Sequence, residues 1–135
     1  MTYRKAEIRP FTREDEPLLF GLATLDRGAD RRTLAVLEQE TVFVADLEGT
    51  PAGYVALTRA GEAIRVDQLF VSPEHEAEGV GRQLLEFAEG YAIAESALTL
   101  QVVVAGGDQR AVAFYRGRGF VAAGEDLLEL VLPRR

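Results

Sequence analysis

The chain is predicted to be an α/β (α+β) protein in which a mixed, mostly antiparallel sheet of six to seven strands carries helices on both faces. Apolar, β-rich runs separated by turn residues predict the strands, and apolar residues at helical spacing predict the helices. The resulting order is β-α-α-β-β-β-α-β-α-β-β. The first four strands can form an antiparallel meander, and the helix after them permits a crossover to a parallel fifth strand.

The first half of the chain supplies four strands and two helices. The strands are predicted over Ala6–Pro10, Thr41–Leu47, Ala52–Thr58 and Ala63–Val71. After the first strand, Thr12 followed by Glu14 and Asp15 is typical of a helix start with Thr12 as the N-cap. Asp30 can cap a second, short helix. The turn Glu48–Pro51 joins the second and third strands as a hairpin.

The second half supplies two more helices and three strands. The first helix begins at Gly79–Gly81, and its apolar face consists of Val80, Leu84, Phe87, Ala88 and Tyr91. The second helix is capped by Asp108, extends to about Arg118 and ends at Gly119, because glycine readily takes the left-handed conformation that ends a helix. The strands are predicted over Ala97–Val104, Phe120–Ala123 and Leu127–Leu132, the last two forming a hairpin.

The junction between the fourth strand and the next helix predicts an anion site. Gly79 and Gly81 lie where a loop becomes the first turn of a helix. The N–H groups of that turn have no partner within the helix and carry the positive end of its dipole, and a glycine lets an anion approach them closely. These residues alone are equally compatible with a tight turn that binds nothing. Neither a P-loop nor the third glycine of the dinucleotide fingerprint is present.

Composition excludes several classes of function. The 135 residues fit one domain, residues 1–135, with one core. The net charge of −7 argues against nonspecific nucleic-acid binding and against an anionic membrane surface, and it suits a cationic substrate such as an amine. Without cysteines and with His75 as the only histidine, no metal site is expected. No apolar run could span a bilayer or serve as a signal core, so the protein is predicted to be cytoplasmic.

The segment Val71–Gly81 resembles the acetyl-CoA-binding motif of the GCN5-related N-acetyltransferases (GNAT). In that family a strand ending in Val-x-Pro leads without gaps to Arg/Gln-x-x-Gly-x-Gly/Ala and a helix. The residues that match are Val71, Pro73, Gly79 and Gly81. The order of strands and helices is also that of the family, so the resemblance covers nearly the whole chain.

This segment also departs from the family pattern. Glu76 stands where the family has Arg or Gln, and Glu78 stands where it commonly has Lys or Arg. Two carboxylates beside a pyrophosphate should repel it. Arg82 can compensate for part of this repulsion.

A second segment, Asp108–Phe120, resembles the family's Asn-x-x-Ala-x-x-Phe/Leu-Tyr-x-x-x-Gly-Phe, with Asp in place of Asn. Ala111 and Tyr115 lie one turn apart and therefore share a helix face, which Phe114 joins. In the family this face turns toward the pantetheine arm, and the tyrosine hydroxyl lies near the sulfur. Taken alone, the segment can also be interpreted as aromatic core residues followed by the end of a helix. The presence of both motifs in the family's order favours the resemblance.

The resemblance implies acetyl-CoA as cosubstrate and no metal. The expected cofactor-binding residues are Leu69, Phe70, Val71, Glu76, Ala77, Glu78, Gly79, Val80, Gly81, Arg82, Asp108, Ala111, Phe114 and Tyr115.

The expected catalytic residues are Tyr115 and Asp67. Tyr115 is the candidate general acid. Asp67 is the candidate general base, with a surface or ion-paired carboxylate as the alternative. Some family members that acetylate protein N-termini carry a glutamate on the fifth strand, but a gap-free count places Val103 there. Backbone N–H groups at the end of the fourth strand can polarise the thioester carbonyl.

The expected function is acetyl transfer from acetyl-CoA to an amine of a small molecule or peptide, by direct attack in a ternary complex. The alternative is a non-catalytic acyl-CoA-binding or regulatory module, which Glu76 and Glu78 favour and Tyr115 opposes. A third hypothesis, a structural domain that binds phosphate but not CoA, is disfavoured by the match to the family over Ala111–Phe120. The acceptor and the oligomeric state are left open, a homodimer being compatible with the sequence.

Overall fold

The computed structural model describes residues 5–15, 41–104 and 108–133, with the backbone alone at 13 and 76–78. Its strands are β1 (Glu7–Pro10), β2 (Thr41–Leu47), β3 (Thr50–Ala60), β4 (Ala63–Val71), β5 (Thr99–Val103), β6 (Val121–Gly124) and β7 (Leu127–Val131). Its helices are α1 (Val80–Ala94) and α2 (Gln109–Arg116). Short 3-10 turns occupy Arg13–Asp15 and Pro73–Glu78.

The strands form one seven-stranded sheet in the order β1-β2-β3-β4-β5-β7-β6. Only β4 and β5 run parallel, and every other neighbouring pair is antiparallel. The predicted mixed, mostly antiparallel sheet is thus confirmed, and so is the order of elements within the described residues. The two helices predicted between β1 and β2 lie outside the described residues, apart from the turn Arg13–Asp15 at the start of the first. No helix within the described ranges is long and apolar enough to cross a membrane.

The hairpin between β2 and β3 is tighter than predicted. Glu48 and Gly49 both have positive φ, 53° and 91°, and Leu47 pairs with Thr50 across them. This is the backbone of a two-residue turn whose twist matches that of the strands. Thr50 and Pro51, predicted to belong to the turn, therefore lie in β3.

The parallel pairing of β4 with β5 is short. It extends from Ala63 opposite Thr99 to Val66 opposite Val102, while β4 continues to Val71. We call the opening between the two strands beyond Val66 the fork. Asp67 lies at its apex and is also the extra residue of a β-bulge, because Ala56 pairs with Gln68 and Leu57 pairs with Val66.

Both described helices contribute to one hydrophobic core on one face of the sheet. Val80, Leu84 and Ala88 of α1 are fully buried, as the predicted apolar face requires. Phe87 and Tyr91 complete that face by packing on Phe43, with ring centroids 4.5 and 5.5 Å away. A second, smaller cluster comprises Val42, Tyr54, Ala56 and Phe70, with Phe11 packed against it.

An ion cluster ties β1 to the turn that follows it. Arg9 donates two hydrogen bonds of 2.8 Å to the Asp15 carboxylate and a third of 3.3 Å to Asp46. Asp15 also accepts from the backbone N–H and the hydroxyl of Thr12. The hydrogen bonds from Arg9, more than those from Thr12, lower the pKa of Asp15 to about 2.

We expect Asp15→Asn to remove about 1–2 kcal/mol from the free energy of unfolding at pH 7. The ordinary pKa of 3.8 is depressed in the folded protein, so the stabilisation is complete at neutral pH and is lost as the pH falls from about 4 toward 2. Urea unfolding at several pH values should show the two proteins converging over that interval. Glu14→Gln, at an exposed position, is the matched control. If the difference in unfolding free energy between Asp15→Asn and the wild type did not change with pH, the stabilising role of the Asp15 carboxylate would be contradicted.

Candidate active site

An open cleft of about 480 Å³ lies between the end of β4, the start of α1 and one face of α2. It is lined by Leu69, Phe70, Val71, Gly79, Gly81, Arg82, Asp108, Arg110, Ala111, Phe114 and Tyr115. All of these except Arg110 are residues that the sequence predicted to bind a cofactor. The fold thus brings together residues from three separate elements, and their binding role stays a prediction.

The remaining predicted cofactor residues lie elsewhere or lack described side chains. Val80 is fully buried in the core, so only its backbone can face a ligand. Residues 76–78, which include both glutamates of the loop, are described by their backbone in the 3-10 turn Pro73–Glu78.

The start of α1 has the geometry of an anion site. Gly79 has φ of +79°, and no side chain caps the helix. The first backbone hydrogen bond of the helix comes from the Gln83 N–H to the Gly79 carbonyl, at 3.1 Å. The preceding N–H groups have no partner within the helix, and the first turn carries Arg82 and no acid. Both features favour a negatively charged ligand.

Gly79 and Gly81 serve different purposes. Gly79 takes the left-handed conformation that other residues rarely adopt. At Gly81 φ is ordinary, and an added Cβ would lie 3.4 Å from Val71 Cγ2 and 3.9 Å from Leu69 Cδ2. The fold itself therefore does not demand a glycine at position 81, whereas a ligand approaching the helix N-terminus from the cleft would.

Gly53 keeps the end of β4 close to β3. A Cβ at Gly53 would overlap the Phe70 carbonyl oxygen. Since Leu69–Val71 form one wall of the cleft, this close approach of two backbones sets the position of that wall.

Helix α2 presents Tyr115 to the cleft. Its start is capped as predicted, because the Asp108 carboxylate accepts a 3.1 Å hydrogen bond from the Ala111 N–H. The helix ends at Arg116, slightly before the predicted boundary, and Gly119 takes φ of +97° in the turn that follows. Tyr115 is 7% exposed, and its ring packs edge-on against Phe114 and Phe120, with centroids 5.1 and 5.5 Å away.

Burial, with a smaller contribution from the negative charge of Asp108, raises the pKa of Tyr115 to about 12. The phenol is therefore fully protonated at neutral pH. Tyr115 can act in the cleft as a hydrogen-bond donor and not as a base.

Two arginines line the cleft. Arg82 donates from Nε to Glu86 Oε1 at 2.9 Å, and this contact is the main reason that the pKa of Glu86 is lowered. Arg110, in the first turn of α2, is exposed. Arg110 was not among the residues predicted to bind a cofactor, although a cation in the first turn of a helix opposes the helix dipole and is favoured there only by a nearby anion.

Asp67 lies outside the lining of the cleft, at the apex of the fork. Its Oδ1 accepts a 2.5 Å hydrogen bond from Arg65 Nε. Its Oδ2 is buried and has no hydrogen-bond partner among the described residues. Arg65 alternates along β4 with Ile64 and Val66, which belong to the core under α1, so Arg65 faces the other side of the sheet.

The profile of the Acetyltransferase (GNAT) family matches residues 4–120 of the sequence. The chain belongs to the GNAT family. The segments Val71–Gly81 and Asp108–Phe120, which carried the resemblance, both lie within the matched residues.

Solved structures of similar proteins share the fold over nearly the full length of this chain. Ard1 from Thermoplasma volcanium superposes with a TM-score of 0.85 at 17% identity, covering 96% of this chain and 99% of the other. The ribosomal-protein-S18-alanine N-acetyltransferase from Escherichia coli gives a TM-score of 0.81 at 21% identity, covering 95% of this chain and 93% of the other. A GNAT family acetyltransferase from Elizabethkingia anophelis with acetyl-CoA bound gives 0.83 at 17% identity, covering 95% and 99%.

We expect Gly81→Glu to abolish acetyl-CoA binding, because it places a side chain and a negative charge at the start of α1. Gly90→Glu is the matched control, since Gly90 lies on the same helix with no atom within 4 Å of an added Cβ. Titration calorimetry gives the affinity, and thermal unfolding shows whether each variant is folded. Unchanged affinity in a folded Gly81→Glu protein would contradict the placement of the cofactor.

Proposed function

We propose that this protein is an acetyl-CoA-dependent N-acetyltransferase that acetylates an amine of a small molecule or peptide by direct attack in a ternary complex. The observation that carries the proposal is the cleft itself. It combines an uncapped helix start, a strand end without a β5 partner and a protonated tyrosine. These three features match the three parts of the cosubstrate, namely the phosphates, the pantetheine arm and the thioester sulfur.

The phosphates would bind at the start of α1. The N–H groups there, with Arg82 on the same turn and Arg110 across the cleft, supply positive potential. This local arrangement offsets the net charge of −7, because fields from nearby groups exceed those of distant, solvent-screened charges.

The pantetheine arm would run along β4 beyond the fork. Past Val66 the backbone of β4 lacks a partner on β5, so its N–H and C=O groups can pair with the amides of the arm as an added strand would. Leu69 and Val71 on the same segment, together with Phe114 across the cleft, provide apolar contact.

Acetyl-CoA supplies an activated acetyl group. The backbone N–H groups at the end of β4 hold the carbonyl oxygen and stabilise the negative charge that develops on it. The amine nitrogen bonds to the carbonyl carbon, the carbon–sulfur bond breaks, and the sulfur takes up a proton. Tyr115 donates a hydrogen bond to that sulfur from the α2 side.

The raised pKa of Tyr115 refines this role. A thiol of ordinary pKa, about 8.5, is a much stronger acid than a phenol near 12, so complete transfer of the phenolic proton is uphill by about 3.5 pKa units. Tyr115 therefore stabilises the departing sulfur mainly as a hydrogen-bond donor, and a proton released by the amine can complete the neutralisation.

Asp67 is proposed as the base that receives the proton of the amine. It belongs to β4 at the apex of the fork, next to the segment along which the pantetheine arm would run. Arg65 holds Oδ1, and the buried Oδ2 lacks a partner among the described residues, which an amine or a water molecule could supply. Strand β5 carries no carboxylate for this role, and its last residue, Val103, is 50% exposed.

A non-catalytic acyl-CoA-binding module is the second candidate. It is favoured by the pairing of the Asp67 carboxylate with Arg65 and by the absence of Asp67 from the cleft lining. Thiol release from acetyl-CoA, measured over a panel of amines, distinguishes the two functions. The panel should include peptides with a free N-terminal alanine, because one structural relative is named for that acceptor. Binding of acetyl-CoA without thiol release above background for any amine would favour the module.

We expect Tyr115→Phe to lower kcat by roughly 10²-fold and to change acetyl-CoA affinity little, because the hydroxyl acts mainly in the transition state. Tyr91→Phe is the control for loss of a hydroxyl elsewhere in the core. With pKa about 12, the ratio of wild-type to variant rate should stay constant up to pH 10. A wild-type rate for Tyr115→Phe with an established acceptor would assign the tyrosine to the core alone.

A further inference from the structure

Three charged side chains connect α1 to the turn after α2. Glu86 Oε1 accepts from Arg82 Nε at 2.9 Å and from Arg118 Nη2 at 3.1 Å. Arg118 belongs to the turn that ends α2, where its backbone N–H donates to the Tyr115 carbonyl. Glu86 thus lies between an arginine on one wall of the cleft and the end of the helix that forms the other wall.

Arg82 occupies an intrinsically unfavourable position. It lies in the first turn of α1, near the positive end of the helix dipole, and its side chain is 58% exposed. A cation there is favoured only when anions lie close to it. Glu86 is one such anion, one turn along the helix, and a phosphate in the cleft would be a further one.

We infer that Glu86 is a positioning residue for the cosubstrate: held by Arg118, it orients the Arg82 guanidinium toward the phosphate end of the cleft. This inference rests on the proposed function, since it assumes that acetyl-CoA phosphates bind at the start of α1. The contact at Nε fixes the plane of the guanidinium before the ligand arrives. Less side-chain freedom is then lost on binding, which favours affinity.

The charge of Glu86 and its positioning role predict opposite effects on acetyl-CoA affinity. Glu86 carries a negative charge near the phosphate site, so charge alone predicts that its removal tightens acetyl-CoA binding. Positioning predicts that its removal weakens binding. The sign of the change in Kd therefore separates the two effects.

The test compares Glu86→Ala with Glu89→Ala by titration calorimetry of acetyl-CoA. Both substitutions remove one carboxylate from the same face of α1 near Arg118, but Glu86 contacts Arg82, whereas the charges that act on Glu89 are those of Arg118 and Glu86. Glu86→Ala is expected to raise the Kd roughly three- to tenfold, the range for one side chain losing its preorganisation. Glu89→Ala is expected to leave the Kd unchanged or slightly lower. Glu86→Gln keeps an acceptor oxygen and should lose less affinity than Glu86→Ala.

A second ligand, S-acetylpantetheine, distinguishes positioning from a general disturbance of the cleft. It lacks the phosphates, so its Kd should be the same for Glu86→Ala and the wild type. Equal weakening of both ligands, or acetyl-CoA binding by Glu86→Ala as tight as that of the wild type, would overturn the inference while leaving the proposed function intact. A wild-type protein that does not bind acetyl-CoA would overturn both.

Discussion

The early end of the pairing between β4 and β5 is the constraint on which the rest of the site depends. Backbone groups of a strand must find partners, and beyond Val66 those of β4 find none on β5. Gly53 keeps this segment against β3, and α1 begins a short turn after it. A strand segment that is paired with β3 on one side and has no β5 partner on the other is suited to an extended ligand that carries its own amides.

The cleft also shows how an acidic chain can present an anion site. The net charge is −7, yet the start of α1 has no acid in its first turn and two arginines line the cleft. Local geometry decides the potential there, because charges beyond about 10 Å are screened by salt, while helix N–H groups would contact a bound anion directly. Both cleft arginines occupy first turns of helices, where they oppose the dipole unless an anion binds.

Tyr115 and Asp67 lie on opposite faces of the sheet at the fork. Tyr115 approaches from the side of α1 and α2, in a core that keeps its hydroxyl protonated. Asp67 belongs to the bulge at the apex and pairs with Arg65 on the other side of the sheet. A bulge adds a residue at the point where the strands separate, which redirects the side chain there. In the proposed reaction, the donor to the sulfur and the acceptor of the amine proton therefore come from opposite faces of the sheet.

The sequence by itself determined the order of elements, the α1 and α2 faces and the two glycines at the start of α1, because these follow from periodicity and from residues adjacent in the chain. Only the tertiary structure decided that Arg110 faces the cleft, that Val80 is buried within a predicted binding loop, and that Asp67 is paired with Arg65 outside the cleft. Those outcomes depend on the register of β4 against β3 and β5 and on the rotation of α2 over the core. Both are set by packing between residues far apart in the chain, so the local sequence pattern does not predict them.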